Sequence, residues 1–459
     1  MPVSLRRDLT VTSSAALVVS NMIGTGIFTT TGFLAGDLGR PSLVLGIWIT
    51  GAVIALAGAI SYAELGINLP HSGGEYVYLR EAWGPTWGFL SGWVSFFAGF
   101  SAPMAAGALA LSEYLGTVFP QATSGHPTAT TSHWVHAGRP QLIAILVIAC
   151  LAAVNILGVG LAARLQNVLT AVKLAMIVVF LLLAFTVGHG AWTHLGMSAV
   201  RTSPHGVGAQ FAVSLIFVMF AYSGWNAATY VAEEMKSPER ILPRVLLFGT
   251  GLVALLYLGL NIAYIYALPL DSLKGVLPVG ATAATALFGS RIGAVFAGFI
   301  TLGLLATISA MSIVGPRVYY AMARDGCFPA GAASLHPRWR TPVRAILYQT
   351  VAAGVMVLTG TFESLVYYIG FTLILFAALA VAGLLRLRGR PQWRRLPAVS
   401  WCYPVIPVVF VATSVWMLVW TVADRPRESA LGLLTVGCGG LVYRWKFSGR
   451  GRIARASPD

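Results

Sequence analysis

The sequence predicts an all-α polytopic membrane protein of about twelve transmembrane helices, and three observations predict it. Hydrophobic residues make up 57% of the chain and charged residues only 10%, where a soluble globular protein carries about 25% charged. The apolar residues lie in long blocks, among them Leu142–Leu157, Leu174–Val187, Val245–Ala267, Val343–Thr359 and Val405–Val422. Most approach the ~20 residues that span hydrocarbon at about 1.5 Å per residue. No polar stretch of domain size interrupts them, so residues 1–459 read as one membrane domain, not as the roughly three soluble domains that length alone suggests.

In chain order the blocks centre near Ile23, Ile54, Phe97, Leu146, Ile177, Val218, Leu256, Leu305, Val351, Leu375, Val411 and Val436. The start, MPVSLRRDLT, carries basic residues, but no small-residue cleavage site follows a short apolar core. It is read as a cytoplasmic amino terminus leading into a permanent first helix. An even number of helices then puts both ends in the cytoplasm. Of the 30 Lys and Arg, 22 fall in segments so placed inside and 7 outside, and Lys173 alone falls mid-helix. This is the positive-inside bias. It explains the net charge of +15 by membrane anchoring, without nucleic acid. Ser124 and Ser429 are then expected on the outside and Ser448 inside.

Cys150, Cys327, Cys402 and Cys438 have no metal-type spacing, and neither do the eight histidines. No disulfide framework, metal or cofactor is expected.

Two segments interrupt the apolar pattern. One is Asn21-Met22-Ile23-Gly24-Thr25-Gly26-Ile27-Phe28 in the first helix; the other is Tyr222-Ser223-Gly224-Trp225-Asn226 in the sixth. Gly24 and Gly224 lie 200 residues apart, so equivalent points of two five-helix halves carry the same defect. The halves cover about 9–188 and 207–388, followed by two peripheral helices over about 400–446 and a cytoplasmic tail over 447–459. Paired broken helices are the signature of an inverted-repeat transporter. A half-helix amino terminus offers free N–H groups that suit a carboxylate, and a carboxy terminus offers carbonyls that suit an ammonium. Gly24, Thr25 and Gly26 are placed to hold a carboxylate; carbonyls near Ile23, Phe220 and Ser223 are candidates for an ammonium.

At these residues a family resemblance emerges. Ile23-Gly24-Thr25-Gly26-Ile27-Phe28 resembles the first-helix motif of the amino acid–polyamine–organocation superfamily. Tyr62-Ala63-Glu64-Leu65 and Pro70-His71-Ser72-Gly73-Gly74-Glu75-Tyr76-Val77-Tyr78 are similar to its second helix and re-entrant loop. Phe220-Ala221-Tyr222-Ser223-Gly224-Trp225-Asn226, continued by Glu233-Glu234-Met235-Lys236-Ser237-Pro238-Glu239-Arg240, looks like the L-type amino acid transporter branch. Gly315-Pro316-Arg317-Val318-Tyr319-Tyr320 resembles the eighth helix.

The resemblance implies a LeuT-type fold and alternating access around a substrate held by helices one and six. It implies sodium-independent exchange of neutral L-amino acids by a prokaryotic member in the cytoplasmic membrane. Phe220 would be an aromatic gate; Trp225 and Asn226, beside Gly224, would line or support the side-chain end of the pocket. Lys173 would take the place of the sodium ion of sodium-coupled relatives, bridging the first-helix break and the eighth helix. Animal L-type transporters are disulfide-linked to a glycoprotein through a cysteine between helices three and four. Here Pro120–Pro140 contains no cysteine, so no heavy chain is attached through that loop.

Glu64, Glu75, Glu81, Glu233, Glu234 and Glu239 are read as interfacial residues paired with nearby arginines, or as a cytoplasmic gate, with Arg317 a candidate partner. The remaining alternative in transport is a proton-coupled amino acid or polyamine symporter. A membrane acyltransferase would need a His–Asp or similar pair facing the membrane, and none is visible, so an enzyme is not expected.

Overall fold

The computed structural model describes residues 10–70, 73–119, 121, 129–132, 135–157, 159–324, 326–397, 399 and 402–447. Ser124 and Ser448 lie outside them, as does the expected tail beyond Phe447.

The first span is broken into Val11–Met22 and Gly26–Leu38, bent by 41°, and the sixth into Val207–Tyr222 and Ala227–Glu233, bent by 42°. Among the described residues eight unbroken helices are long and apolar enough to span: Pro41–Asn68, Pro85–Val118, Arg139–Leu157, Val168–Thr186 within Val159–Thr186, Pro238–Ala267, Ser290–Arg324, Phe362–Leu387 and Val405–Asp424. Val343–Thr359, a shorter apolar helix, and Pro426–Phe447 stand ninth and twelfth in order. With the two broken ones they make the twelve expected, each over its expected centre.

Local chemistry sets their ends. Proline opens the second, third, seventh and twelfth spans, where its missing N–H costs nothing. Thr10 and Thr361 cap the first and tenth, each reciprocally with a serine three residues on. Inside the third span a π-helical turn covers Ser95–Ser101. Pro103 follows it; a proline there cannot donate to the carbonyl four residues back, and the wider turn absorbs the mismatch.

The lateral surface is apolar: Leu142, Leu146, Phe248, Leu255, Val351 and Val408 all stand exposed. The interior is also apolar, with Trp48, Tyr62, Tyr222, Tyr257 and Phe28 fully enclosed. Helices apolar on every side belong in lipid.

One feature departs from the all-α expectation. Ala129–Ser132 and Val135–Ala137 pair as a small antiparallel hairpin between the third and fourth spans. Outside hydrocarbon, a short Thr- and Ser-rich segment can satisfy its backbone in this way.

Two short helices dock on the bundle: Glu75–Trp83 between the second and third spans, and Val279–Phe288 between the seventh and eighth. Beside the first of these, Glu64 at the end of the second span faces the end of the tenth. Arg388 Nε lies 3.0 Å from Glu64 Oε1 and its guanidinium sits 3.8 Å over the Tyr403 ring. Trp393 Nε1 and Leu396 N also donate to this carboxylate, each at 3.0 Å. Glu81 takes Arg390 at 3.1 Å. Glu64 and Glu81 are thus arginine-paired, as their interfacial reading implies. Arg317 instead bonds the Ile313 carbonyl of its own helix, and among the described residues no carboxylate pairs with it.

Both members of the Glu64–Arg388 pair are buried. Removing one partner strands the other charge, at a cost of about 3–5 kcal/mol. Glu64→Ala is therefore expected to lower the thermal unfolding midpoint in detergent markedly. An unchanged midpoint would show the pair to be dispensable.

Candidate functional site

In the first span, Val11–Met22 ends with Ile23 N bonded to Val19 O, and the chain leaves helical geometry at Ile23 (φ −74, ψ 90). It restarts at Gly26. Among the described residues the N–H groups of Thr25, Gly26 and Ile27 have no backbone acceptor, as the first turn of any helix requires. They form a cluster of donors at a positive helix end.

In the sixth span, Ser223 is extended (ψ 149) and Gly224 takes φ +94, a region that an L side chain strongly disfavours. A Cβ on Gly224 would also lie 2.9 Å from the Asn21 carbonyl oxygen. Glycine is needed there both for conformation and for contact with the first span.

The two breaks touch. A Cβ on Gly26 would lie 2.5 Å from Ala221 Cα and 2.6 Å from Ala221 Cβ. What Gly26 admits is therefore the backbone of the sixth span. Gly24 is different: its Cβ would meet Thr307 Cγ2 of the eighth span at an ordinary 3.5 Å. Thr25 is buried, with its Oγ1 3.9 Å from the Cβ position of Gly107 on the third span. The donor cluster is thus walled by the third and eighth spans.

Lys173 is 1% exposed. Its Nζ donates to Ser20 O at 3.2 Å and to Ile23 O, two carbonyls that the break leaves open. The eighth span meets the lysine stem rather than its ammonium: a Cβ on Gly303 would lie 3.3 Å from Lys173 Cγ. Among the described residues no carboxylate pairs with Lys173.

Phe220 is buried and its ring lies 6.4 Å from Phe362 of the tenth span. Phe33 stacks on Phe217 at 5.0 Å and on Phe362 at 6.0 Å. This aromatic layer joins the first, sixth and tenth spans on one side of the breaks. Further along the same ends, Ser214 donates to Asp37 at 2.7 Å, and Arg425 pairs with Glu363 at 2.8 Å.

Trp225 and Asn226 turn elsewhere. The Trp225 ring packs on Tyr62 (4.7 Å) and Phe410 (6.4 Å) and fills the space left by Gly58. It braces the sixth span against the second and eleventh. Asn226 Nδ2 donates to Glu75 Oε1 at 3.0 Å, and Tyr62 Oη donates to the same oxygen at 2.7 Å. Burial raises the Glu75 carboxyl above its usual range, against these two hydrogen bonds. Glu75 therefore reaches the sixth-span break, unlike Glu64 and Glu81. The preceding Gly73-Gly74 pair was the available signal: Gly74 has φ +48, and its Cβ would press on Thr229 and Tyr230 at 3.0 Å. Thr307 carried no signal in the sequence.

A family model described as "Amino acid permease" matches residues 9–432. The "Large neutral amino acids transporter small subunit 2" of Mus musculus is 30% identical, over 96% of this chain and 81% of its own length. The "Serine/threonine exchanger SteT" of Bacillus subtilis (strain 168) is 30% identical, over 96% of each chain. The "Asc-type amino acid transporter 1" of Mus musculus is 29% identical, over 96% and 81% respectively.

Proposed function

This chain belongs to the amino acid permease family, and from that premise we propose that it exchanges neutral L-amino acids across the cytoplasmic membrane by alternating access, without sodium. The meeting of the two breaks carries this reading. The free N–H groups of Thr25–Ile27 suit a carboxylate, and the carbonyls of Ile23, Phe220 and Ser223 suit an ammonium. The donors lie in the first span where Gly26 abuts Ala221 of the sixth. Ile23 O already accepts from Lys173 and Phe220 O from Ser223 N. Because a carbonyl has two lone pairs, each would take an ammonium as a second donor, holding a zwitterion without a buried counter-charge. Phe220 closes the site on one side; Gly224, Trp225 and Asn226 fix the sixth-span backbone around it. Glu75 is engaged by Tyr62 and Asn226, which favours a substrate with an uncharged side chain. Serine, threonine and larger neutral amino acids are the first to test, given the names of the relatives. The two five-helix halves act as inverted repeats, and the chain is a carrier, not an enzyme.

Proteoliposomes containing the purified chain test the reading. Labelled amino acid outside is expected to enter only vesicles loaded with unlabelled amino acid, equally well in sodium and choline. Uptake into empty vesicles that grows with an inward proton gradient would favour symport. No uptake of any amino acid would end the transport reading.

Both termini are placed in the cytoplasm. Ser429 is buried and makes a poor labelling probe, whereas Ser198 and Ser334 are exposed. With Cys150, Cys327, Cys402 and Cys438 replaced, Ser198→Cys is expected to react with an impermeant maleimide in intact cells. Ser334→Cys should react only after permeabilisation. The opposite pattern would invert the topology.

A further inference from the structure

The sixth-span break is braced from behind by a helix that belongs to neither broken span. Glu75–Trp83 is 9 residues long, a rod of about 13 Å. Its two ends hold different parts of the bundle.

At its start, Gly74 presses on the second half of the sixth span: a Cβ there would lie 3.0 Å from Thr229 Oγ1 and from the Tyr230 ring. Glu75 Oε1 accepts from Tyr62 Oη of the second span and from Asn226 Nδ2. Asn226 is the residue from which the second half of the sixth span starts. Its carbonyl takes Thr229 N at 2.9 Å and Thr229 Oγ1 at 2.7 Å. Fixing the Asn226 side chain therefore fixes where that half begins. Among the described residues no cation pairs with Glu75. What its two donors need is an acceptor oxygen rather than a charge.

At its far end the helix is fastened to the tenth span. Trp83 Nε1 donates to Leu379 O at 2.9 Å, and the Arg386 guanidinium lies 5.6 Å over the same ring. Gly383 admits this close approach: a Cβ there would lie 2.7 Å from Ala82 Cβ. Arg390, just beyond the span, bonds the Glu81 carboxylate at 3.1 Å and the Glu81 carbonyl at 2.9 Å. The opposite end of the tenth span carries Phe362, beside Phe220 and Phe33. One continuous helix thus reaches from the aromatic layer to the far end of the rod.

We propose that Glu75–Trp83 is a strut that sets the position of the sixth-span break relative to the tenth span, with Glu75 as the positioning residue that acts through Asn226. Glu75 touches no substrate; it holds in place the backbone proposed to do so. The inference rests on the exchange reading and deepens it.

Exchange KM, saturated exchange rate and thermal midpoint are measured for Glu75→Met, Glu75→Gln, Trp83→Phe and the double variant Glu75→Met with Trp83→Phe. Glu75→Met keeps the length of the side chain but strands two donors, and KM is expected to rise about tenfold. Glu75→Gln keeps an acceptor oxygen in the same place and should recover most of that loss. Trp83→Phe removes only the bond to Leu379 O and should raise KM about threefold, although it lies at the other end of the rod. Substitutions so far apart ordinarily add, which would give about thirtyfold in the double variant. A strut gives about tenfold, since a rod released at one end has nothing left to transmit. Additive effects would therefore overturn the inference. So would Glu75→Gln as impaired as Glu75→Met, which would make charge the operative feature, or losses confined to the midpoint, which would make the helix merely structural. Trp83→Phe decides the point even if Glu75→Met does not fold: normal exchange with an unmoved KM there would sink this inference alone. A parent protein that exchanges no amino acid would sink the exchange reading and this inference with it.

Discussion

Lys173→Ala is expected to cut exchange by about a hundredfold or more while leaving the protein folded. Hydrogen bonds to a charged group contribute about 1.5–3 kcal/mol each, and Lys173 makes two, to Ser20 O and Ile23 O at the end of Val11–Met22. Losing both frees the end of the first half-helix just before the N–H groups proposed to hold the substrate. Stability should respond much less. Placing an ammonium at this depth costs about 2.5–3.5 kcal/mol, and the substitution removes that penalty together with the bonds. The expected signature is therefore a functional loss out of proportion to any fall in thermal midpoint, or a changed affinity difference between the two membrane sides. Lys173→Arg should not rescue, since the stem packs so closely on Gly303 that even a Cβ there would lie 3.3 Å from Lys173 Cγ, and a guanidinium is broader than an ammonium. The same geometry predicts that the parent protein needs no sodium. A sodium requirement, or normal Lys173→Ala kinetics from both sides, would show that the lysine is not the cation of this site.

Gly26→Leu is expected to abolish transport, and Gly26→Ala nearly so. The first added carbon would lie 2.5 Å from Ala221 Cα. Both atoms belong to backbone or its first branch, so no rotamer relieves the clash; the first and sixth spans must separate by roughly an ångström. At sites built from fixed groups, a misplacement of that size costs on the order of a hundredfold. Gly24→Ala makes the informative contrast. Its new methyl would meet Thr307 Cγ2 at 3.5 Å, an ordinary contact, so the effect should be much smaller. Thr25→Ser keeps the hydroxyl and should be mild. Near-normal substrate affinity in Gly26→Leu would remove the two-break site from the account.

Much of this was legible in the residues because it depends on local chemistry. Span positions follow from each residue's preference for lipid or water. The breaks showed as Gly24-Thr25-Gly26 and Ser223-Gly224 inside apolar runs, because glycine and small polar residues stand out there. Lys173 was conspicuous as the lone basic residue at mid-helix. Glu64, Glu75 and Glu81, by contrast, fall within 18 residues and look alike on paper. Two of them meet arginines of the tenth span or just beyond it; the third meets Tyr62 and Asn226. Trp225 lies beside the break in sequence but points its ring at the second and eleventh spans.

The sequence by itself determined that this chain crosses a membrane about twelve times, where its two helices fail, and which family it resembles. The tertiary structure alone decided which groups answer the open backbone at those failures: Lys173 and Tyr257 for the carbonyls, and Ala221 packed on Gly26. The physical reason is range. Hydropathy and helix propensity act through neighbours along the chain, whereas Lys173 lies 150 residues from Ile23 and Tyr257 lies 235 from Met22. An unsatisfied carbonyl in a dry interior must find a donor, but only the packing of distant helices determines which side chain supplies it.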